Sequence, residues 1–315
     1  MRRLAAVALA ALAASAAAAA DFSTSARGTT AAEFLNLGAG ARAAAMGSAY
    51  AAAVDEPSAV YWNSAGMTRV AGRAATLMHS VMINSSAYEY GSYVQNEGWR
   101  GVFGFGAQYY TPGKIVQTNE AGTSLGNLLP YDLALSFAYA RQYRGFSFGG
   151  AVKIIDSKII NSASAGAVDL GFLSPTLLDE RLRLAFTATN LGGDTITFDQ
   201  VGASLPLTLR AGAAYRFFPD LLLSADAVFP KSDQPYGAIG TEYETAGTSD
   251  PLGTPGEWGF FGRAGFNTQT IGSVDGFAGV SLGFGVSLRR ASVDYAFVPF
   301  GGLGQVHRLS LSCSF

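Results

Sequence analysis

From Arg73 onward the chain alternates. Tyr131, Leu133, Leu135, Phe137 and Tyr139 interleave with Asp132, Ala134, Ser136, Ala138 and Ala140. The same period of two recurs over 182–187, 207–217 and 280–289. Successive side chains of a strand point to opposite faces, so each run is a strand with one apolar face. The other face is largely Gly, Ala and Ser, which suits a crowded lumen better than a solvated surface. Strands are expected roughly at 73–83, 86–96, 99–110, 131–143, 145–159, 164–173, 181–190, 206–218, 220–230, 235–245, 257–267, 276–288, 290–298 and 305–315. That is about fourteen, an even number, as a closed antiparallel barrel needs to bring both ends of the chain to one side. A sheet in lipid must close, because an open edge leaves backbone groups unpaired. The expected fold is therefore an all-β membrane protein, a closed antiparallel transmembrane β-barrel. Tyr143-Arg144-Gly145 and Phe218-Pro219-Asp220 read as periplasmic turns, and Thr111 to Pro130 and Thr245 to Gly256 as outer loops. Trp99, Tyr109, Tyr110, Tyr131, Tyr139, Tyr143 and Trp258 lie near strand ends and read as membrane-interface aromatics.

The stretch Glu33 to Gly66 breaks the alternation. Ala39, Gly40, Ala41, Ala43, Ala44, Ala45 and Gly47 crowd it, with Phe34, Leu37, Met46, Tyr50, Tyr61 and Trp62 between them. Ala41 to Ala53 is alanine-rich enough to be helical. Pro57 is placed to start a second short helix, with Asp55 as its cap. Asn63 to Gly66 reads as the turn that ends it. The expected organisation is a signal peptide (1–20), an N-terminal segment forming a short helical plug in the lumen (21–72) and the barrel (73–315). Candidate lumen contacts are Phe34, Leu37, Gly38, Gly40, Arg42, Met46, Gly47, Tyr50, Asp55, Pro57, Tyr61, Trp62, Asn63 and Gly66. Met46, Tyr50, Tyr61 and Trp62 either line an acyl-chain pocket or pack the plug against the wall. Arg42 is the lone charge of an apolar helix. It is expected to pair with a luminal acid such as Asp132, Asp169 or Asp294, since an unpaired charge in a narrow lumen is costly.

Composition agrees with lipid. Only 14% of the 315 residues are charged and 12% are aromatic, against about 25% charged in a soluble domain. No mature stretch has the run of apolar residues that a spanning helix requires. Arg2 and Arg3, the apolar run Leu4 to Leu12 and the small residues Ala18 to Ala20 before Asp21 fit a secretory signal. Its removal leaves 19 basic against 23 acidic side chains, a charge of −4. That mild acidity has no basic stripe, so nucleic acid is not an expected partner. One cysteine, Cys313, excludes an intrachain disulfide, and with only His79 and His307 beside it no metal site and no cofactor are expected. Gly38-Ala39-Gly40-Ala41-Arg42-Ala43 mimics a dinucleotide fingerprint but has no strand before it. Gly122-Thr123-Ser124-Leu125-Gly126 matches an esterase elbow yet sits in a polar loop, which leaves an outer-membrane hydrolase as a remote alternative. No catalytic residue is assigned.

The last strand alternates His307, Leu309, Leu311, Cys313 and Phe315 with Arg308, Ser310, Ser312 and Ser314. An ending of this kind, carried by Leu309, Leu311 and Phe315, resembles the signal that hands outer-membrane barrels to their assembly machinery. The stretches Phe34 to Arg42, Ala45-Met46-Gly47 with Tyr50, and Asp55 to Asn63 with Ala65-Gly66 resemble the PorV/PorQ family, which is grouped with FadL-like long-chain fatty acid transporters. Pro206 to Gly212, Tyr295 to Gly304 and His307 to Ser310 extend the match. Ser64 stands where the family usually has Pro. The resemblance implies a fourteen-stranded FadL-like barrel in the outer membrane of a Gram-negative-type bacterium, with an N-terminal segment folded into the lumen. It implies a docking component of type IX-like protein secretion or a component of outer-membrane transport. The alternative is a FadL-like transporter of hydrophobic small molecules such as long-chain fatty acids. Expected partners are outer-membrane lipid, the barrel-assembly machinery, and secretion-system proteins or hydrophobic small molecules.

Overall fold

The structure is a computed structural model that describes residues 22–192, 195–198, 202–245, 258–271, 274 and 278–315. The expected signal peptide lies outside the described residues. The strands in chain order are β1 (Arg73–Val81), β2 (Ala87–Asn96), β3 (Val102–Thr111), β4 (Ile115–Thr118), β5 (Ser124–Leu128), β6 (Tyr131–Tyr143), β7 (Phe146–Lys158), β8 (Ser162–Leu173), β9 (Leu182–Leu191), β10 (Thr195–Thr197), β11 (Gly202–Ser204), β12 (Thr208–Phe218), β13 (Leu221–Pro230), β14 (Tyr236–Thr245), β15 (Trp258–Asn267), β16 (Val280–Leu288), β17 (Ala291–Pro299) and β18 (Gln305–Ser314). Fourteen of them form one closed antiparallel barrel in the order β1-β2-β3-β6-β7-β8-β9-β12-β13-β14-β15-β16-β17-β18. It closes where Leu77 of β1 pairs with Leu311 of β18.

The alternation sets which face is which. Phe137, Val152, Ile154, Phe186, Leu282 and Leu311 are exposed, while their neighbours Ala138, Ala151, Lys153, Thr187, Ser281 and Ser310 are buried. A continuous exposed apolar band of this kind is stable only against lipid. A barrel of this size is too wide for its own inward side chains to fill. Residues 33–70 occupy that interior, and Tyr50, Met46, Val54, Val60 and Met67 within them are fully buried.

Four expectations need correction. The link 112–130 is not plain loop: β4 and β5 form a separate hairpin, and β10 and β11 form another in the link between β9 and β12. Thr245 and Trp258 end β14 and begin β15 at the same barrel end as the Arg144-Gly145 and Pro219-Asp220 turns. Antiparallel alternation therefore places Thr245 and Trp258 at the short-turn end, opposite Thr111 and Pro130, whereas Thr245 to Gly256 is expected from the sequence to be an outer loop like Thr111 to Pro130; residues 246–257 lie outside the described residues. Tyr110 is not an outward aromatic. It packs inside against the residues around Phe34 and around Tyr88. The expected helix 41–53 stops at Ala45, for a reason found in the wall.

Candidate functional site

The interior segment runs as short pieces: Glu33–Asn36, Ala41–Ala45, Ala59–Trp62 and Ser64–Arg69. After Ala45 the chain enters left-handed backbone at Gly47 (φ +64°) and Ser48 (φ +66°). That turn ends the helix and presses the backbone onto the wall. A Cβ on Gly47 would lie 2.6 Å from the Phe266 nitrogen and 2.9 Å from the Ile239 oxygen. Opposite it, a Cβ on Gly240 or Gly265 would collide with the backbone of Met46 and Gly47. Elsewhere Gly104 and Gly106 make room for Val60, and Gly171 for Asn63. The inward glycines of the wall are thus the mould of the segment.

Polar groups of the wall reach the segment's backbone, which makes few internal helical bonds. The Ala41 N–H donates to Ser310 Oγ (2.8 Å), and the Gly47 N–H to Ser281 Oγ (3.0 Å). Asp226 accepts from the N–H groups of Tyr50 (2.9 Å) and Ala51 (3.1 Å). Arg308 donates to the carbonyls of Leu37 (2.6 Å) and Gly38 (2.7 Å). Arg210 donates to the Ser48 carbonyl (2.7 Å) and pairs with Asp226 (3.1 Å). Buried backbone groups need partners, and here the barrel supplies them.

Arg42 is the electrostatic joint. Its guanidinium binds Glu242 of β14 through Nε (2.6 Å) and Nη2 (2.7 Å), and Asp55 through Nη1 (2.6 Å). Glu242 also accepts from Arg263 (2.6 Å), which pairs with Asp294 (2.6 Å). The partner of Arg42 is thus Glu242; Asp294 stands one link further along the chain of charges and Asp169 pairs with Lys153. Burial disfavours the charge on Arg42, but Asp55 and Glu242 more than offset it and hold the guanidinium well above its ordinary value. Burial pushes the Tyr61 phenol up to about 12 and lowers Arg69. Asp55 is not a helix cap, since no side chain caps the Ala59–Trp62 helix. It is engaged by Arg42, while Glu56 accepts from Ser58 Oγ (2.8 Å). Asn63 caps the following turn by accepting from the Ala65 N–H (3.1 Å).

The remaining candidates lie together. Trp62 donates to the Ala39 carbonyl (2.7 Å) and Tyr61 to the Leu35 carbonyl (2.9 Å), with Tyr50 and Tyr61 edge-on to the Trp62 ring. Phe34 packs with Ile155 and Ile196, Leu37 beside Met78 and Tyr90, and Pro57 is buried. The Gly40 N–H faces Met78 Sδ at 3.1 Å, and Gly66 lies against Val54. Leu309, Leu311 and Phe315 are apart from this cluster, exposed on the outer wall and at the chain end. Glu242, Arg263, Asp226, Arg210 and Arg308 escaped the sequence reading. Their signal was present: each is a charge in the inward phase of its strand.

Two hollows adjoin the segment. One, of about 140 Å³, opens at the long-link end between Glu33, Asn36, Tyr61, Trp62 and the inner wall. The other is an apolar groove of about 650 Å³ on the outer wall, lined by Ala213, Tyr215, Leu223, Ala225, Ile239, Ala264, Phe266 and Val280. Gly240 and Gly265 line its base, and Met46 and Gly47 sit directly behind them. Among the described residues no helix is long and apolar enough to cross a membrane, and no group of three or more His, Cys, Asp and Glu side chains is placed to hold a metal.

The profile of an uncharacterised protein family, UPF0164, matches residues 6–165. No curated protein matches the chain in sequence. In fold it is similar to the Ralstonia pickettii toluene transporter TbuX (TM-score 0.56, 15% identity, 88% of this chain and 98% of that one). It is also similar to the Pseudomonas putida toluene transporter TodX (TM-score 0.57, 13% identity, 88% and 99%), and to a Pseudomonas aeruginosa FadL homologue (TM-score 0.53, 14% identity, 91% and 98%).

Proposed function

The chain belongs to the uncharacterised protein family UPF0164, and on that premise we propose that it is an outer-membrane transporter of hydrophobic small molecules, with residues 33–70 as a hatch. The observation that carries this is the juxtaposition at β14 and β15. An apolar groove opens on the lipid face, and at its base Gly240 and Gly265 leave only backbone between the groove and Met46-Gly47 of the interior segment. A hydrophobic solute reaches the groove through the bilayer, where it is already out of water, so the groove competes with lipid tails rather than with water for it. Release of residues 46–48 removes the backbone that lies directly behind the groove. The likeness in fold to two toluene transporters and a FadL homologue favours transport over a docking role in protein secretion. Residues 1–20 act as the export signal, the Arg144-Gly145 end faces the periplasm, and Leu309, Leu311 and Phe315 carry the assembly signal.

The test is uptake of radiolabelled toluene and of a long-chain fatty acid by cells carrying the barrel. Filling the groove with Ala225→Trp should slow uptake several-fold while the folded barrel still runs faster than the boiled one on a detergent gel. A correctly folded Ala225→Trp barrel with undiminished uptake, or wild-type uptake equal to that of cells lacking the barrel, would sink the proposal.

A further inference from the structure

The outside of the wall carries a cationic patch at the short-turn rim. On β6 the outward positions run Phe137, Tyr139, Arg141 and Tyr143 toward that rim, and all four are exposed. β3 lies beside β6, with Phe103 opposite Tyr139, and the turn that leads into β3 brings Trp99 and Arg100 to the same place. The Tyr139 phenol donates to the Arg100 carbonyl (3.0 Å), which ties that turn to β6. Arg144 follows in the β6-β7 turn. Arg100 lies over the Trp99 ring (5.3 Å to its centre) and Arg144 over the Tyr143 ring (5.4 Å). Trp99 is 79% exposed and Tyr143 64%. Among the described residues none of Arg100, Arg141 and Arg144 has an ion pair. Glu97, the acid nearest to them in the chain, accepts from Gln95 instead; Asp179 and Glu180 sit in the β8-β9 turn beside Arg181. Rings with one polar edge settle at the boundary between hydrocarbon and headgroups. Trp99, Tyr139 and Tyr143 therefore mark the depth of the lipid phosphates, and the three guanidiniums stand at that depth. Toward the membrane centre, Phe103, Phe137 and Phe148 continue as exposed apolar wall.

We propose that this patch is a binding site for an anionic phospholipid. The phosphate meets Arg100, Arg141 and Arg144, whose planar forks match phosphate oxygens two at a time. The glycerol region lies at the Trp99 and Tyr143 rings, and the acyl chains lie along Phe103, Phe137 and Phe148. Net negative charge is the selective feature. A zwitterionic headgroup brings its own cation, which three unpaired arginines repel, whereas an anionic headgroup leaves its phosphate uncompensated. An acidic soluble protein would answer the arginines alone, and the apolar column continuous with them would still require hydrocarbon. The site needs only a barrel in lipid and does not rest on the transport reading. With the Arg144-Gly145 end toward the periplasm, as proposed above, the lipid belongs to the periplasmic leaflet.

The experiment is native mass spectrometry of the full-length barrel in an amine-oxide detergent, titrated with phosphatidylglycerol, phosphatidylethanolamine and phosphatidylcholine of identical chains. An oligoglutamate peptide serves as comparator. Phosphatidylglycerol should bind more than tenfold more tightly than either zwitterionic lipid and more tightly than the peptide. A basic side chain at an anionic lipid surface is worth about fivefold in affinity. Arg100→Gln and Arg141→Gln should each weaken binding by about that factor, as should Arg144→Asn, which suits the left-handed backbone there (φ +51°). The triple variant should lose about 100-fold and with it the preference for phosphatidylglycerol, while its folded form still runs faster than its boiled form on a detergent gel. Equal binding of the three lipids, tighter binding of the peptide, or an undiminished preference in the folded triple variant would overturn the proposal. Such a failure leaves the uptake test of the groove untouched.

Discussion

Replacing Arg42 by Met should unseat the interior segment without unfolding the barrel. The segment holds one end of the contact, Asp55 at 2.6 Å, and the wall the other, Glu242 at 2.6 and 2.7 Å. Breaking a buried ion pair from one side costs about 3–5 kcal/mol, because the partner is left desolvated. Here Glu242 keeps Arg263 at 2.6 Å and Asp55 keeps Arg69 at 3.8 Å, so the loss belongs at the lower end. A loss of about 3 kcal/mol lowers the ratio of seated to released segment about 100-fold. The barrel's own ladders contain no Arg42 contact and should persist. In planar bilayers Arg42→Met should show open events far more often than wild type, and protease should cut near residues 47–56 sooner. Arg42→Lys keeps the charge but loses the two-pronged contact with Glu242, so it should fall between them. An Arg42→Met barrel with wild-type conductance and wild-type protease resistance would refute the claim that this pair seats the segment.

Gly47→Ala should act at the same place by shape alone. Left-handed backbone and a Cβ 2.6 Å from the Phe266 nitrogen together cost about 3 kcal/mol, and conductance should rise as in Arg42→Met; an unchanged trace would contradict the close approach. Glu56 supplies a pH test. Burial, only partly offset by Arg42, raises its carboxyl above the ordinary 4.5, so the folded state holds a proton that the unfolded state releases. Its contribution is fully present below pH 4.5 and is lost as pH rises through the raised value. Wild type should therefore lose stability relative to Glu56→Gln over that rise in urea unfolding, and a constant or inverted difference would count against the buried carboxyl.

The barrel was legible because its signal is local. Each strand needs an outward apolar and an inward small residue at every second position, whatever its neighbours are, so β6, β12 and β16 declare themselves one at a time. The interior segment was legible by contrast, since Glu33 to Gly66 has no such period and its alanines and glycines suit close packing. The short hairpins β4-β5 and β10-β11 were not. Neither spans lipid, so neither carries the long alternation that marks a wall strand.

The alternating phase of the chain was enough to decide that it closes into a barrel, which face meets lipid and which segment differs from the wall. Partnership was decided only in three dimensions. Asp132, Asp169, Asp226, Glu242 and Asp294 all lie in the inward phase, and nothing local ranks them as partners for Arg42. Strand stagger around the closed barrel brings Glu242 to it and gives Asp294 to Arg263. The same stagger aligns Ala213, Ala225 and Ala264 from three strands into one groove over Gly240 and Gly265. It also turns the helix aside at Gly47, where two backbones meet too closely for any side chain. Period two is a property of one strand, whereas a pairing across the lumen depends on the register of every strand between the partners.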